Sequence, residues 1–246
     1  MRKTIILLVS IIISLNLYSN LYSNPILSSD KINSRIEVDT IYQQIDTLTI
    51  TLLVYRPINA RAEFTTTRPD SNDTRIKLSV AAAFTGKDLK SIMGKHIEKG
   101  IVKWGYKSIA NGYVSIIDNK VSIRPIDLSL KSMQTKAIRK KGYIFQQMLL
   151  VHDSVLMDCK IFGERETYRR ALAIIDNQPC VVESEQRMKI NDFSASLIRM
   201  GINTAICLDM GTWSHGWIRT ESENYIPIGK LTSSTKNQTN WLIFTD

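Results

Sequence analysis

The hydrophobic positions of this chain recur mainly at the spacing of β-strands. Alternating and β-branched residues dominate residues 34–57, and short apolar segments cover residues 76–85 and 142–153. Two β-rich arms flank residues 118–120, which is the pattern of a hairpin. These runs, with few helical stretches between them, predict an α+β fold: a single domain with a mixed, mostly antiparallel β-sheet core and few helices.

The most regular pattern lies within residues 169–209, which predict a strand pair, a helix and a third strand. Asn191 suits the N-cap of the helix and Gly201 suits its C′ position. The third strand ends at Asp209, and open sheets with helical crossovers place ligand groups at such strand ends. One side of the helix is apolar and is predicted to pack on the sheet through Phe193, Leu197 and Met200.

The N-terminus has the pattern of an export signal. Arg2 and Lys3 precede an apolar run that reaches Leu17, a length typical of a secretory signal and short for a spanning helix. We therefore expect residues 1–20 to be a signal peptide or an uncleaved anchor, residues 21–33 a linker, and residues 34–246 the folded domain. The expected location is periplasmic, cell-surface or secreted, with membrane contact only through the N-terminal segment if it is uncleaved.

The formal charge of +9 favours anionic partners. Phosphorylated sugars and acidic glycans suit an exported chain better than nucleic acid, and the short basic segment at residues 138–141 is interpreted as a solvated turn. Three cysteines leave at least one unpaired, so a disulfide framework is not expected. No spacing predicts a zinc site. No cofactor is expected, while the need for a divalent metal and the oligomeric state stay open.

Asp209 is the first candidate for chemistry. A carboxylate at the end of a buried strand is partly desolvated, which raises its pKa and suits acid–base catalysis. The same residue could instead cap the following turn through its side chain. Both interpretations stay open at this point.

The loop after Asp209 carries candidate sugar-binding groups. Aromatic faces stack on sugar rings, and an imidazole can bind a hydroxyl or a phosphate. The alternative is that the tryptophans pack in the core and the histidine lies on the surface. The loop residues considered for ligand binding are Gly211, Trp213, Ser214, His215 and Trp217.

Arg169 and Arg170 enter a predicted buried strand. Adjacent strand residues point to opposite faces, so one of the two arginines can face a site. An arginine fork there suits phosphate recognition, although an ordinary sheet-edge role is equally open. No serine-hydrolase elbow, zinc-protease motif, Walker loop or dinucleotide fingerprint occurs in the sequence.

Several of these segments together resemble the phosphodiester glycosidase family. The resemblance rests on YRRALAIIDNQPCVVES, the helix that follows it, and GINTAICLDMGTWSHGW, with VAAAFTGK and NGYVSIIDNK upstream. It covers residues 76–246, and LDMGTWSHGW with QTNWLIF is most similar to a subgroup found in gut Bacteroidales. The family has glycines where this chain has Met210 and Thr212, and an asparagine where it has Ala82.

The resemblance implies a hydrolase that cleaves a glycosyl phosphodiester. It implies Asp209 as acid–base or nucleophile and Arg169 or Arg170 as the phosphate ligand, and it adds Asn111 to the sugar-binding groups. Because a mechanism with two carboxylates needs a partner, Glu166 is proposed for that role, with Glu164 as its alternative. The changed glycine loop motivates a second hypothesis, a non-catalytic glycan-binding envelope protein of the same fold.

Overall fold

The computed structural model describes residues 34–45, 48–159, 164–210, 214–220, 222 and 224–246. The predicted signal peptide and linker lie outside these residues. Within them, no helix has the length and apolar character needed to cross a membrane. Residues 34–246 cluster as one compact unit.

The described elements are mainly strands. In chain order they are β1 Arg35–Ile45, β2 Leu48–Ile58, β3 Arg61–Thr65, β4 Ile76–Ala81, β5 His96–Glu98, β6 Ile101–Lys103, β7 Gly112–Ile117, β8 Lys120–Pro125, helix α1 Ser129–Arg139, β9 Tyr143–Gln147, β10 Leu149–His152, β11 Val155–Leu156, β12 Arg170–Ile175, β13 Gln178–Ser184, helix α2 Ile190–Arg199, β14 Thr204–Cys207, β15 Gly216–Arg219, β16 Tyr225–Ile228, a 3₁₀ helix Ser233–Asn237 and β17 Trp241–Thr245.

The strands form three sheets. A seven-stranded sheet has the order β1-β2-β13-β12-β14-β10-β11, the β4 sheet has the order β16-β15-β4-β17-β3, and the β7 sheet has the order β6-β5-β9-β7-β8. All pairings between these strands are antiparallel. The predicted fold class, a mostly antiparallel α+β domain with few helices, is confirmed.

Tight turns fix the register of the hairpins. Asp118 and Asn119 join β7 to β8, and Asp176 and Asn177 join β12 to β13, all four at positive φ between 51° and 62°. Asn and Asp tolerate this backbone region, and two such residues in succession give the turn that matches the twist of the strands. Both hairpins predicted from the sequence are confirmed.

The main hydrophobic core lies between the sheets. It joins Phe64 and Leu78 of the β4 sheet, Phe145 of the β7 sheet, and Leu172 and Ile206 of the seven-stranded sheet, all fully buried. The opposite face of the seven-stranded sheet is covered by α2. Its predicted apolar side contributes Phe193 and Leu197, also fully buried, and the partly buried Met200.

Three local predictions are wrong, and a fourth is right only in part. The N-cap of α2 is Lys189 and not Asn191. Residues 142–153 form two strands of different sheets, because the chain crosses from β9 to β10 at Met148. Residues 138–141 are exposed as predicted, and Lys140 and Lys141 form the turn before β9, but residues 138 and 139 end helix α1, which the sequence pattern missed. Finally, β14 is antiparallel to both of its neighbours, so the rule for parallel open sheets does not account for the position of Asp209.

Candidate functional site

Asp209 lies where the ends of β14 and β4 meet. Its backbone N–H donates to the carbonyl of Ala82, at 2.9 Å, just after β4 ends. Its carboxylate oxygen Oδ2 accepts a hydrogen bond from the backbone N–H of Thr85, at 3.2 Å. The residue is 8% exposed. The chain therefore holds this acid between two sheets, with the main chain of residues 82–85 on one side.

Burial raises the pKa of Asp209 to about 7, because the charged carboxylate loses its hydration. The amide groups of Thr85 and Met210 and the charge of Arg170 act in the opposite direction and only partly offset this effect. A carboxyl group with this pKa holds its proton for part of the time near neutral pH. It is therefore suited to donate and recover a proton in a reaction.

Replacing Asp209 with asparagine is expected to raise the free energy of unfolding near pH 8 and to change it little near pH 4. The pKa in the folded state is about 7, against an ordinary value of 3.8. The folded protein thus holds a proton that the unfolded chain releases, so wild-type stability falls as the pH rises through this window. At about 1.4 kcal/mol per pKa unit, the loss is on the order of 4 kcal/mol.

Urea unfolding of both proteins across this pH range measures the effect. Asparagine keeps an oxygen acceptor for the Thr85 amide and has no proton to lose. Asp153→Asn, in an exposed turn, controls for the change in net charge. A stability gain for Asp209→Asn that is equal at both ends of the range contradicts the assigned pKa.

Arg169 and Arg170 point to opposite faces of the seven-stranded sheet. The Arg169 side chain lies on the α2 face, where its Nε donates to the carbonyl of Met188 at 3.0 Å and its Nη2 donates to the carbonyl of Arg165. Arg170 lies on the opposite face and is fully buried. Of the two candidate phosphate ligands, only Arg170 is on the side of Ser214. Nη2 of Arg170 donates a hydrogen bond to the Ser214 carbonyl at 2.8 Å.

Arg170 forms a buried ion pair with Glu183, a residue that the sequence analysis did not single out. Nη2 and Nε of Arg170 donate to Oε2 of Glu183 at 2.7 and 3.1 Å. Nη1 of Arg170 has no hydrogen-bond partner among the described residues. The signal for Glu183 was present in the sequence, since the tight turn of the β12–β13 hairpin places it directly opposite Arg170.

A cavity of about 540 Å³ lies beside this ion pair. Two lining residues, Ser214 and Lys230, are bonded to each other: Oγ of Ser214 accepts a hydrogen bond from the backbone N–H of Lys230 at 3.0 Å. Gly229 approaches the Ser214 carbonyl so closely, at φ +66°, that a Cβ would lie 1.9 Å from its oxygen. The lining residues are Val38, Leu53, Tyr55, Tyr168, Glu183, Ser184, Glu185, Met210, Ser214, Ile218, Ile226, Pro227, Ile228, Gly229 and Lys230. We refer to this space as the main cavity.

His215 and Trp217 lie at a separate, smaller recess of about 160 Å³. Strand alternation explains the separation, since Ile218 faces the main cavity and Trp217 faces the other side of β15. His215 Nε2 lies 3.3 Å from the hydroxyl of Tyr225. Burial lowers the pKa of His215, and the positive charges of Arg170 and Arg68 add to the effect. The loop thus divides its predicted ligand-binding groups between two recesses.

The remaining predicted residues are dispersed. Glu164 and Glu166 are exposed, and the Glu164 carboxylate pairs with Lys189 at 2.6 Å. The Asn111 side chain accepts a hydrogen bond from the backbone N–H of Leu149, at the start of β10, at 2.7 Å. Gly211 and Trp213 lie outside the described residues. Among those described, no group of three or more His, Cys, Asp or Glu residues is placed to hold a metal ion.

Two solved structures share this architecture. The catalytic domain of zebrafish N-acetylglucosamine-1-phosphodiester alpha-N-acetylglucosaminidase, in a form auto-inhibited by its pro-peptide, superposes with a TM-score of 0.57 at 8% identity, over 91% of this chain and 84% of that one. A hypothetical protein from Synechocystis superposes with a TM-score of 0.55 at 10% identity, over 86% of this chain and 62% of its own. The chain has a phosphodiester glycosidase-like fold.

The likeness is confined to structure. No protein-family model matches the sequence, and no curated protein matches it either. The narrower resemblance to a Bacteroidales subgroup therefore stays a prediction. Within this phosphodiester glycosidase-like fold, Glu183 and Ser214 line the main cavity and Arg170 bonds to both. Asp209 directly precedes the lining residue Met210 in the chain.

Proposed function

We propose that this protein is an exported hydrolase that cleaves a glycosyl phosphodiester at the main cavity. The observation that carries the proposal is the buried acid Asp209, with a pKa raised to about 7, next in sequence to a residue of a ligand-sized cavity. The shared fold supports the proposal, because the name of the zebrafish protein describes this reaction. The basic charge of the chain suits an anionic substrate.

In the proposed reaction, Asp209 is the general acid and Glu183 is the general base. Water adds its oxygen to the anomeric carbon, the bond from that carbon to the bridging phosphate oxygen breaks, and Asp209 gives its proton to the departing phosphomonoester. Glu183, which is paired with Arg170, takes the proton of the water. Glu183 lines the cavity, whereas Glu166 is on an exposed loop, so we assign the second carboxylate to Glu183 in place of Glu166.

Lys230 is the proposed phosphate ligand. Its ammonium group lies at the main cavity, where it donates to the hydroxyl of Tyr168 at 2.7 Å. An ammonium group binds phosphate oxygens through strong charge-assisted hydrogen bonds. In this assignment Arg170 acts indirectly, because it holds Glu183 and the Ser214 carbonyl in place.

Hydrolysis in ¹⁸O-labelled water tests which bond is broken. Sugar 1-phosphodiesters, including that of N-acetylglucosamine, are incubated with the protein and the products are analysed by mass spectrometry. The proposal predicts the label in the anomeric hydroxyl of the released sugar and none in the phosphate. Label in the phosphate, or no release of sugar from any member of the panel, overturns it.

A non-catalytic glycan-binding protein of the same fold is the second candidate. One observation favours it: the Asp209 carboxylate accepts a hydrogen bond from the backbone amide of Thr85 and does not itself line the main cavity. Met210 and Ala82 also favour this candidate, because the phosphodiester glycosidase family has a glycine and an asparagine at these two positions. Retention on an immobilised glycan by both wild type and Asp209→Asn, with no turnover by either, supports this candidate.

A further inference from the structure

The main cavity has an apolar end that the chemistry of the reacting group does not use. Val38 of β1 and Ile226 of β16 line it and are 46% and 42% exposed, so they present hydrophobic surface to its interior and mouth. Ile218, which pairs with Ile226, and Ile228 continue the same wall. Apolar surface left open in a concave site gains free energy when a ligand covers it.

The polar groups of the cavity gather at its other end. In the paired strands, Val38 lies opposite Tyr55, and Tyr55 lies opposite Val181. Glu183 and Glu185 follow Val181 by two and four positions along the chain, about 7 to 13 Å further along an extended chain. Ser214, Tyr168 and Lys230 are also at this end, as the bonds among Arg170, Ser214 and Lys230 require.

The charges at the polar end are largely matched. Glu183 is paired with Arg170, and Lys230 binds the hydroxyl of Tyr168 and lies 4.2 Å from the centre of its ring. Val38 and Ile226, at the apolar end, carry no charge. A ligand that complements this cavity therefore has a polar head and a hydrophobic tail, and the proposed function supplies the anionic phosphate of that head.

We infer that the substrate is an amphipathic glycosyl phosphodiester, whose phosphate is esterified to an aliphatic alcohol such as a long-chain alkyl or prenyl group. The inference rests on the proposed function and names the group that leaves with the phosphate. The volume of about 540 Å³ lies within the range of about 300–1,000 Å³ typical of ligand pockets. It has room for more than a single sugar ring, and the tail lies along Val38 and Ile226.

A matched pair of substrates tests the inference. The same sugar 1-phosphate is esterified to decanol in one and to glycerol in the other, and kcat/KM is measured for both below the micelle concentration. Each buried methylene contributes roughly fourfold, so burying even two or three of them predicts at least about a tenfold preference for the decyl ester. A ratio of one or less overturns the inference.

Two variants locate the effect. Val38→Ser and Ile226→Ser are expected to lower the ratio of kcat/KM for the decyl ester to kcat/KM for the glycerol ester severalfold. Ile101→Ser removes an exposed isoleucine from β6, on a different sheet, and is expected to keep the preference. Equal loss of preference in the control, or none in the two cavity variants, contradicts the assignment of the apolar end.

Calorimetric binding separates this inference from the proposed function. Non-hydrolysable phosphonate analogues with decyl and glyceryl tails are titrated into wild type and Ile226→Ser. Tighter binding of the decyl analogue, lost in the variant, supports the amphipathic ligand even if neither ester is turned over. If instead a second copy of the chain covers the cavity, sedimentation shows a dimer that Val38→Ser dissociates and the decyl analogue binds no more tightly, which overturns the inference.

Discussion

Arg170→Met is expected to lower the free energy of unfolding by about 3–5 kcal/mol, because it leaves the Glu183 carboxylate buried without a partner. Arg170 is fully buried and Glu183 is 6% exposed, so water from the main cavity replaces the lost donors only in part. The substitution also removes the donor that Arg170 gives to the Ser214 carbonyl. Urea unfolding with a two-state fit measures the change.

Two further variants separate the charge effect from the loss of packing. Arg170→Met combined with Glu183→Leu removes both charges and is expected to recover most of the stability, because well-packed apolar residues replace buried ion pairs at little cost. Arg56→Met breaks an exposed ion pair with Asp39 across β1 and β2 and is expected to cost about 0–1 kcal/mol. An Arg170→Met loss no larger than that of Arg56→Met contradicts the buried pairing.

Most of the fold was predictable from the sequence where local chemistry specifies it. An Asp followed by an Asn predicts the β7–β8 turn and the β12–β13 turn, because both residue types tolerate positive φ. Phe193 and Leu197 reveal α2 because its apolar side is fully buried. Helix α1 was missed because its apolar side is narrow: Leu130, Met133 and Ala137 recur at helical spacing, but of these only Ala137 is buried.

The candidate site was predictable only in part. Asp209 stands out locally as an acid at the end of a buried run. The main cavity, by contrast, brings together Val38 of β1, Glu183 of β13 and Ile226 of β16, which lie far apart in the chain. Their convergence depends on how the sheets pack, which periodicity does not reveal. Strand alternation gave one further signal, because the neighbours Trp217 and Ile218 of β15 line different recesses.

The second large effect is expected from Asp209→Asn on turnover. An amide cannot donate the proton that the departing phosphomonoester receives, and loss of a positioned general acid typically lowers rates by about 10²–10⁴-fold. The wild-type rate is expected to fall as the pH rises through about 7, where Asp209 loses its proton. Since the carboxyl and amide groups have nearly the same size, the variant keeps the packing between β14 and β4.

Steady-state turnover of a sugar 1-phosphodiester by wild type and Asp209→Asn, with folding of both verified by urea unfolding, is the most direct measurement of this account. We expect the variant to lose at least about a hundredfold in kcat/KM and to lose the limb of the pH profile near 7. Equal turnover by two folded proteins, with the same pH profile, would contradict the role of Asp209 and with it the proposed active site.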